Sequence, residues 1–236
     1  MSKRAEARKQ QQTAQRTRQL IVVGVIVVIA IVAVFILARQ SPQVGQVIIP
    51  TPFDRPNPSG TALGDPNAPV KMEEFADYQC PYCRNFEEQT LPQLAANEIA
   101  NGQVYFVFHP FSFIGPESVA AANAALCAAD QGKFWEYSAT VYANQTSENS
   151  GNFSTVRLEA FAAQLGLDTQ TFNSCLSQDK HQAEVNASYQ LGVQAGVQST
   201  PSFLINGQLV TGALPYDQFQ TLIQKAMSQP APTSTP

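Results

Sequence analysis

The sequence predicts one α/β domain carried behind a single N-terminal membrane-spanning helix. Three observations predict it. An unbroken apolar run, residues 20–38, follows a basic leader. Beyond a proline-rich stretch, β-rich and amphipathic segments follow the order β-α-β, a block of helices, then β-β-α. A Cys-x-x-Cys, Cys80-Pro81-Tyr82-Cys83, falls where the first strand gives way to the first helix.

The chain has 236 residues, of which 44% are hydrophobic and only 14% charged. So low a charge excludes a disordered polyelectrolyte. The net charge of −4 excludes a broadly basic nucleic-acid binder. The charge is divided along the chain. Residues 1–19 hold six basic side chains (Lys3, Arg4, Arg8, Lys9, Arg16, Arg18) against Glu6, a net of +5, which leaves −9 for the rest.

Each element follows in order. The run 20–38 as a helix spans about 28 Å, close to a bilayer's hydrocarbon core of roughly 30 Å. It is longer than a signal-peptide core, and Ala38-Arg39-Gln40 is a poor cleavage site. The basic flank places residues 1–19 in the cytoplasm and everything after the run outside it. Residues 39–66 carry Pro42, Pro50, Pro52, Pro56, Pro58 and Pro66 and read as a spacer. Residues 229–236 read as a disordered tail by the same composition. The folded domain is expected over 67–228, with the helical block as an insertion over about 112–198.

Within the domain, Val70–Phe75 reads as a strand. Cys80–Ala96 reads as a helix that Pro92 bends. Val104–Phe108 reads as a second strand. Helical periodicity covers Glu117–Gln131, Phe134–Asn144, Thr155–Leu165, Thr169–Ser177 and His181–Ala195. Strands return at Ser202–Ile205 and Gln208–Thr211 around Asn206-Gly207, a strong hairpin signal. Tyr216–Met227 closes the domain as an amphipathic helix.

The cysteines carry the chemistry. Cys80 at a helix N-terminus meets free N–H groups and the helix dipole, which favour a thiolate. Pro81 suits the first helical position, where no N–H is needed. Cys83, one turn on, can close a short disulfide with Cys80 and resolve mixed disulfides. A zinc site needs a second close pair, whereas Cys127 and Cys175 stand alone. Neither His109 nor His181 has ligand spacing to them, so no metal is expected.

The stretch Gly64-Asp-Pro-Asn-Ala-Pro-Val-Lys-Met-Glu-Glu-Phe-Ala-Asp-Tyr-Gln-Cys-Pro-Tyr-Cys83 resembles the entrance to DsbA-like thioredoxin-fold thiol–disulfide oxidoreductases. It is most similar to their membrane-anchored, BdbD-like branch. Gly196-Val-Gln-Ser-Thr-Pro-Ser-Phe-Leu-Ile-Asn-Gly207 is similar to the family's cis-proline loop. Ala124-Ala-Leu-Cys-Ala-Ala-Asp-Gln-Gly-Lys-Phe-Trp-Glu-Tyr137 is similar to its inserted helical domain. The resemblance covers about residues 64–227. Pro-Tyr between the cysteines departs from the Pro-His of the best-known oxidase, which leaves the redox potential open.

The resemblance implies a thioredoxin fold with an inserted helical domain and a role for each matching position. Cys80 is the attacking thiol and Cys83 the resolving one. Pro201 is cis, and Thr200 offers its backbone to a substrate peptide beside Pro81 and Tyr82. Glu74 is a buried acid that moves protons to and from Cys83, its neighbour Glu73 pointing the other way. Asp77 is at most a local modulator. Cys127 and Cys175, on separate helices in an oxidising compartment, are expected as a structural disulfide. A second redox pair exchanging with Cys80–Cys83 is the rival. His109 is expected to pack at a strand end, and Phe134, Trp135 and Tyr137 to fill the insertion. The expected function is disulfide formation in exported proteins that bear thiols, with a quinone-coupled membrane partner as reoxidant. No cofactor or nucleic acid is implied, and the domain is expected to be a monomer. The same residues would also serve a reductase or isomerase, and an inert pair would leave a peptide-binding holdase.

Overall fold

A computed structural model describes residues 20–34 and 44–228. Residues 20–34 form a helix, α1, in one compact unit, and residues from Val44 onward belong to another. No helix among the described residues is both long and apolar enough to cross a membrane. Residues 35–38 of the apolar run, the leader 1–19 and the tail 229–236 lie outside the described residues.

The second unit is built on a five-stranded sheet in the order β1-β3-β2-β4-β5. Its strands are β1 (Ala62–Leu63), β2 (Val70–Ala76), β3 (Val104–Pro110), β4 (Ser202–Ile205) and β5 (Gln208–Thr211). β2 and β3 run parallel, and every other pair is antiparallel. Asn206 and Gly207 both take positive φ, 47° and 80°, the geometry of a two-residue hairpin between β4 and β5.

The helix after β2 is not broken at Pro92. It runs as α2 (Pro81–Asn85), a π turn (Phe86–Thr90), α3 (Leu91–Leu94) and a second π turn (Ala95–Ile99). The Leu91 N–H donates to the Phe86 carbonyl, so the register has already widened where Pro92 brings no donor. The inserted block comprises α4 (Pro116–Ala129), α5 (Phe134–Ala143), α6 (Thr155–Gln164), α7 (Thr169–Ser177) and α8 (Gln182–Gln194), and α9 (Tyr216–Met227) closes the domain.

The spacer boundary requires correction. Residues 44–66 do not stand off the domain. Ala62 and Leu63 are buried and pair with Val107 and Phe106. Asn144 clamps Ile48, accepting from its N–H at 2.9 Å and donating to its carbonyl at 2.7 Å. Arg55 and Glu87 form a buried ion pair at 3.0 Å. Proline favours an extended chain but does not prevent that chain from lying on a surface. Val47 and Phe53 supply the apolar contacts that hold it there.

The core lies on both faces of the sheet. Phe86, Phe106, Phe203 and Phe219 pack ring to ring between the helix after β2, the sheet and α9. On the other face Phe75, Phe111 and Val197 form a smaller cluster under α8. The approach of α8 depends on Gly192, where a Cβ would fall 2.5 Å from the Phe111 ring and 2.9 Å from Phe75. Gly192→Ala is expected to destabilise the domain by about 2 kcal/mol through overpacking. Urea unfolding measures this, and an unchanged midpoint would show that the aromatic cluster yields freely.

Candidate active site

β2 delivers the chain to the site. Its register alternates, so Glu73 and Glu74 part company. Glu73 is half-buried and meets Lys71 at 3.0 Å and His109 at 3.1 Å. The His109 hydrogen bond foremost holds the Glu73 carboxyl below its ordinary range. His109 also stacks on Phe75 at 4.9 Å, a packing role at the end of β3. Glu74 is buried on the opposite face, opposite Phe108 of β3 and Phe203 of β4. Burial pushes its carboxyl well up, and the nearby Glu87 and Cys80 charges add to the effect.

Asp77 turns the chain from β2 into α2 and is a structural hub. Its side chain accepts from Gln79 N at 2.8 Å and Ser118 Oγ at 2.6 Å. It also accepts from Phe113 N at 2.9 Å and Ile114 N at 3.1 Å. Its backbone carbonyl accepts from Cys80 N at 3.0 Å. One carboxylate thereby ties the redox motif to the loop after β3 and to α4. The sequence carries no sign of this, because Phe113, Ile114 and Ser118 lie 36 to 41 residues away.

Cys80 is the N-cap of α2, Pro81 follows inside the first turn, and Cys83 lies one turn on, fully buried. Both are thiols in this structure. The Thr200–Pro201 peptide is cis, and Cys80 Sγ donates to the Thr200 carbonyl at 3.3 Å. Tyr82 is exposed beside them. Thus β2 and the loop before β4 bring together Cys80, Pro81, Tyr82, Cys83, Thr200 and Pro201.

The electrostatics separate the two thiols. The Cys83 side chain, more than any other group, holds Cys80 down from 9.0 to about 6, against the opposing cost of burial. Hydrogen bonds from the Thr200 side chain and from the Cys83 and Tyr82 backbone act in the same direction. Cys83 moves the other way, pushed well up by burial and then by the neighbouring Cys80. Cys80, at the motif's edge, is therefore the thiol more readily ionised, while Cys83, wholly enclosed, is the one that keeps its proton more readily.

Holding the Cys80 thiol down makes the stability of the reduced protein depend on pH. The folded, reduced protein gains stability that is complete above the thiol's ordinary value of about 9. That gain is lost as pH falls through about 6. At pH 7 part of it is present, on the order of 1 kcal/mol, and it makes the pair more oxidising. Alkylation of the reduced protein by iodoacetamide is expected to rise with a midpoint near pH 6. A midpoint near 8.5, the value of a free cysteine, would show that the helix terminus and Cys83 do not hold the thiolate.

Cys127 and Cys175 form a disulfide between α4 and α7, with their Cα atoms 5.9 Å apart. Phe134, Trp135 and Tyr137 are buried in α5. Sequence spacing does not reveal one juxtaposition. Cys127 Sγ, Cys175 Sγ and a ring nitrogen of His181 all lie within 4.8 Å of one another. The fold, not the spacing, brings His181 there.

A cis-proline loop beside a Cys-x-x-Cys helix terminus, on a mixed sheet with an inserted helical block, defines a thioredoxin-fold dithiol–disulfide enzyme. The family model described as Thioredoxin matches residues 56–225, and the chain belongs to that family. Within it the chain is a DsbA-like thiol–disulfide oxidoreductase. A relative from Bacillus cereus named probable disulfide bond formation protein D is 29% identical over 71% of this chain and 79% of its own length. The crystal structure of oxidised BdbD from Bacillus subtilis superposes with a TM-score of 0.67 at 24% identity, over 76% of this chain and 100% of that one. Wolbachia pipientis alpha-DsbA1 gives a TM-score of 0.64 at 25% identity, over 73% and 93% of the two chains.

Proposed function

We propose that this protein forms disulfides in exported proteins outside the cytoplasm, acting as a monomer through the Cys80–Cys83 pair and anchored by residues 20–38. The contrast between a readily ionised Cys80 and a buried Cys83 that holds its proton, beside the cis Thr200–Pro201 peptide, carries the reading. The relatives' names support the direction of the reaction. The basic leader and the apolar run support the topology, with residues 1–19 cytoplasmic.

The steps follow from the two thiols. A client thiolate attacks Cys80 of the oxidised pair, a client–Cys80 bond forms, and the Cys80–Cys83 bond breaks. Cys83 leaves with both bonding electrons and takes up a proton, for which Glu74 on β2 is the internal carrier. A second client thiolate then attacks the client sulfur. The client disulfide forms and Cys80 leaves as a thiolate, which its environment stabilises. Two client protons are given up, one is retained on Cys83, and two electrons rest on the pair. A quinone-coupled membrane partner takes those electrons to restore the disulfide. Pro81, Tyr82 and the Thr200 backbone present the client segment, and no cofactor takes part.

Equilibration of the Cys80–Cys83 pair in glutathione buffers tests the direction. A reduction potential of about −120 to −180 mV is expected of an oxidase, and one near −270 mV would make the protein a reductant. In the same protein Glu74→Gln is expected to slow release of Cys83 while leaving Cys80 alkylation unchanged. An unaltered exchange rate would remove Glu74 from the proton path. Membrane fractionation of the full chain against one lacking residues 1–38 tests the anchor, and retention of the shortened chain in the membrane would refute it.

A further inference from the structure

Outside the redox motif, the Cys127–Cys175 disulfide sits in polar surroundings that a structural cross-link does not require. Asp130, just past α4, places Oδ2 3.8 Å from Cys175 Sγ and 2.9 Å from His181 Nε2. The other ring nitrogen, Nδ1, meets Glu184 Oε2 at 2.9 Å. Lys180 Nζ also reaches Asp130 Oδ2, at 2.7 Å. The His181 backbone is fixed by donation from its N–H to Asn123 Oδ1 at 3.0 Å, and Lys180 N donates to the Cys175 carbonyl at 3.1 Å. Three chain segments thus bring two sulfurs and an imidazole nitrogen within 4.8 Å of one another, with the Asp130 carboxylate against Cys175 and His181.

We propose that, when Cys127–Cys175 is reduced, Cys127, Cys175 and His181 bind Zn²⁺ or a similar thiophilic divalent cation, and that Asp130 moves in as the fourth ligand to complete a tetrahedral site. The disulfide sulfurs are no such ligands, so the oxidised protein has no site. Reduction by a dithiol transfers two electrons to the sulfurs and leaves two thiols, the dithiol becoming a disulfide. The metal then displaces a proton from each thiol, and two metal–thiolate bonds form. Thiolates about 2.3 Å from one zinc ion stand roughly 3.8 Å apart, so each sulfur has only a short way to move. Glu184 holds Nδ1 of His181 and so leaves Nε2, which faces Asp130, to take the metal, as carboxylates do behind metal-bound histidines. Lys180 releases Asp130 as the metal replaces its charge. The result is a metal tie between α4, α7 and the start of α8 in place of the covalent one. The inference does not depend on the direction of the redox reaction.

The test uses the full-length chain in mild detergent with Cys80→Ser and Cys83→Ser, so that the redox pair contributes no thiolates. After reduction with a phosphine, anaerobic Co²⁺ is expected to bind one-to-one. Thiolate-to-cobalt charge transfer and tetrahedral d–d bands should appear, and one equivalent of Zn²⁺ should abolish them. The oxidised protein should show neither. His181→Ala is expected to weaken cobalt binding by at least about 10-fold, and Glu184→Gln by about 10-fold through the ring it holds. Circular dichroism of the same samples reports whether the helices persist. Three results would overturn the proposal: no charge-transfer band, bands indifferent to both variants, or loss of the helices on reduction that metal does not reverse.

Discussion

Replacing Cys80 with serine is expected to remove thiol–disulfide exchange, with a loss of at least about 10³-fold in turnover of a model dithiol substrate. A serine hydroxyl does not ionise near neutral pH and forms no S–S bond, so neither the attacking nor the leaving role survives. Cys83→Ala has a different expected signature. Cys80 remains ionised enough to react, since the helix terminus and Thr200 still favour the thiolate. It loses its largest stabilising partner, however, so its alkylation midpoint should rise. With its resolving partner gone, this variant should accumulate covalent adducts with client proteins, seen as slow bands on non-reducing gels. Equal turnover by wild type and Cys80→Ser would leave only a holdase. Adducts formed by Cys80→Ser rather than Cys83→Ala would reverse the assigned roles. Burial makes the assignment physical: Cys83 is wholly enclosed, while Cys80 retains 6% exposure at the helix end.

Removing the second disulfide has the next largest expected effect. Cys127 and Cys175 are 48 positions apart. In the chain-entropy model, closing such a loop stabilises the fold by about 4 kcal/mol. Cys127→Ala with Cys175→Ala should lose about that amount in urea unfolding followed by far-ultraviolet circular dichroism. Both side chains are buried, so a small further loss from vacated volume is expected. Exchange at Cys80 should survive in this variant, because the insertion's hydrogen bonds to the segment before the motif run from Asp77, Tyr78 and Gln79 to Ser118, Ser138, Gln145 and Asn149, none of them beside the second disulfide. A collapse of exchange with stability intact would instead make Cys127–Cys175 a second redox pair.

Several elements were legible because one local rule sufficed. Thr169–Ser177, Ser202–Ile205, Gln208–Thr211 and Tyr216–Met227 agree with the sequence expectation to the residue. Alternation or helical period, with Asn206-Gly207 as punctuation, decides each of them. Other features were not legible, because their causes lie far away in sequence. Ala62–Leu63 is too short to signal a strand, and only the exposed edge of β3 makes it one. Alternation alone leaves Glu73 and Glu74 equivalent, and only the family resemblance singled out Glu74; the packing on each face of β2 decides which carboxyl is buried. Arg55 shows its meaning only opposite Glu87. Gly192 does so only beneath Phe111.

The sequence by itself determined the class of chemistry. Cys80, Pro81 and Cys83 at a strand-to-helix junction require nothing beyond local backbone geometry to place a thiol at a helix N-terminus. The Thr200–Pro201 pair before a strand marked the second half of the site. Tertiary structure alone decided how the thiols differ and what surrounds them. A pKa responds to burial and to charges within a few ångströms, and those distances are set by contacts between remote segments. For the same reason His181, silent in the sequence, stands against a disulfide whose cysteines are themselves 48 positions apart.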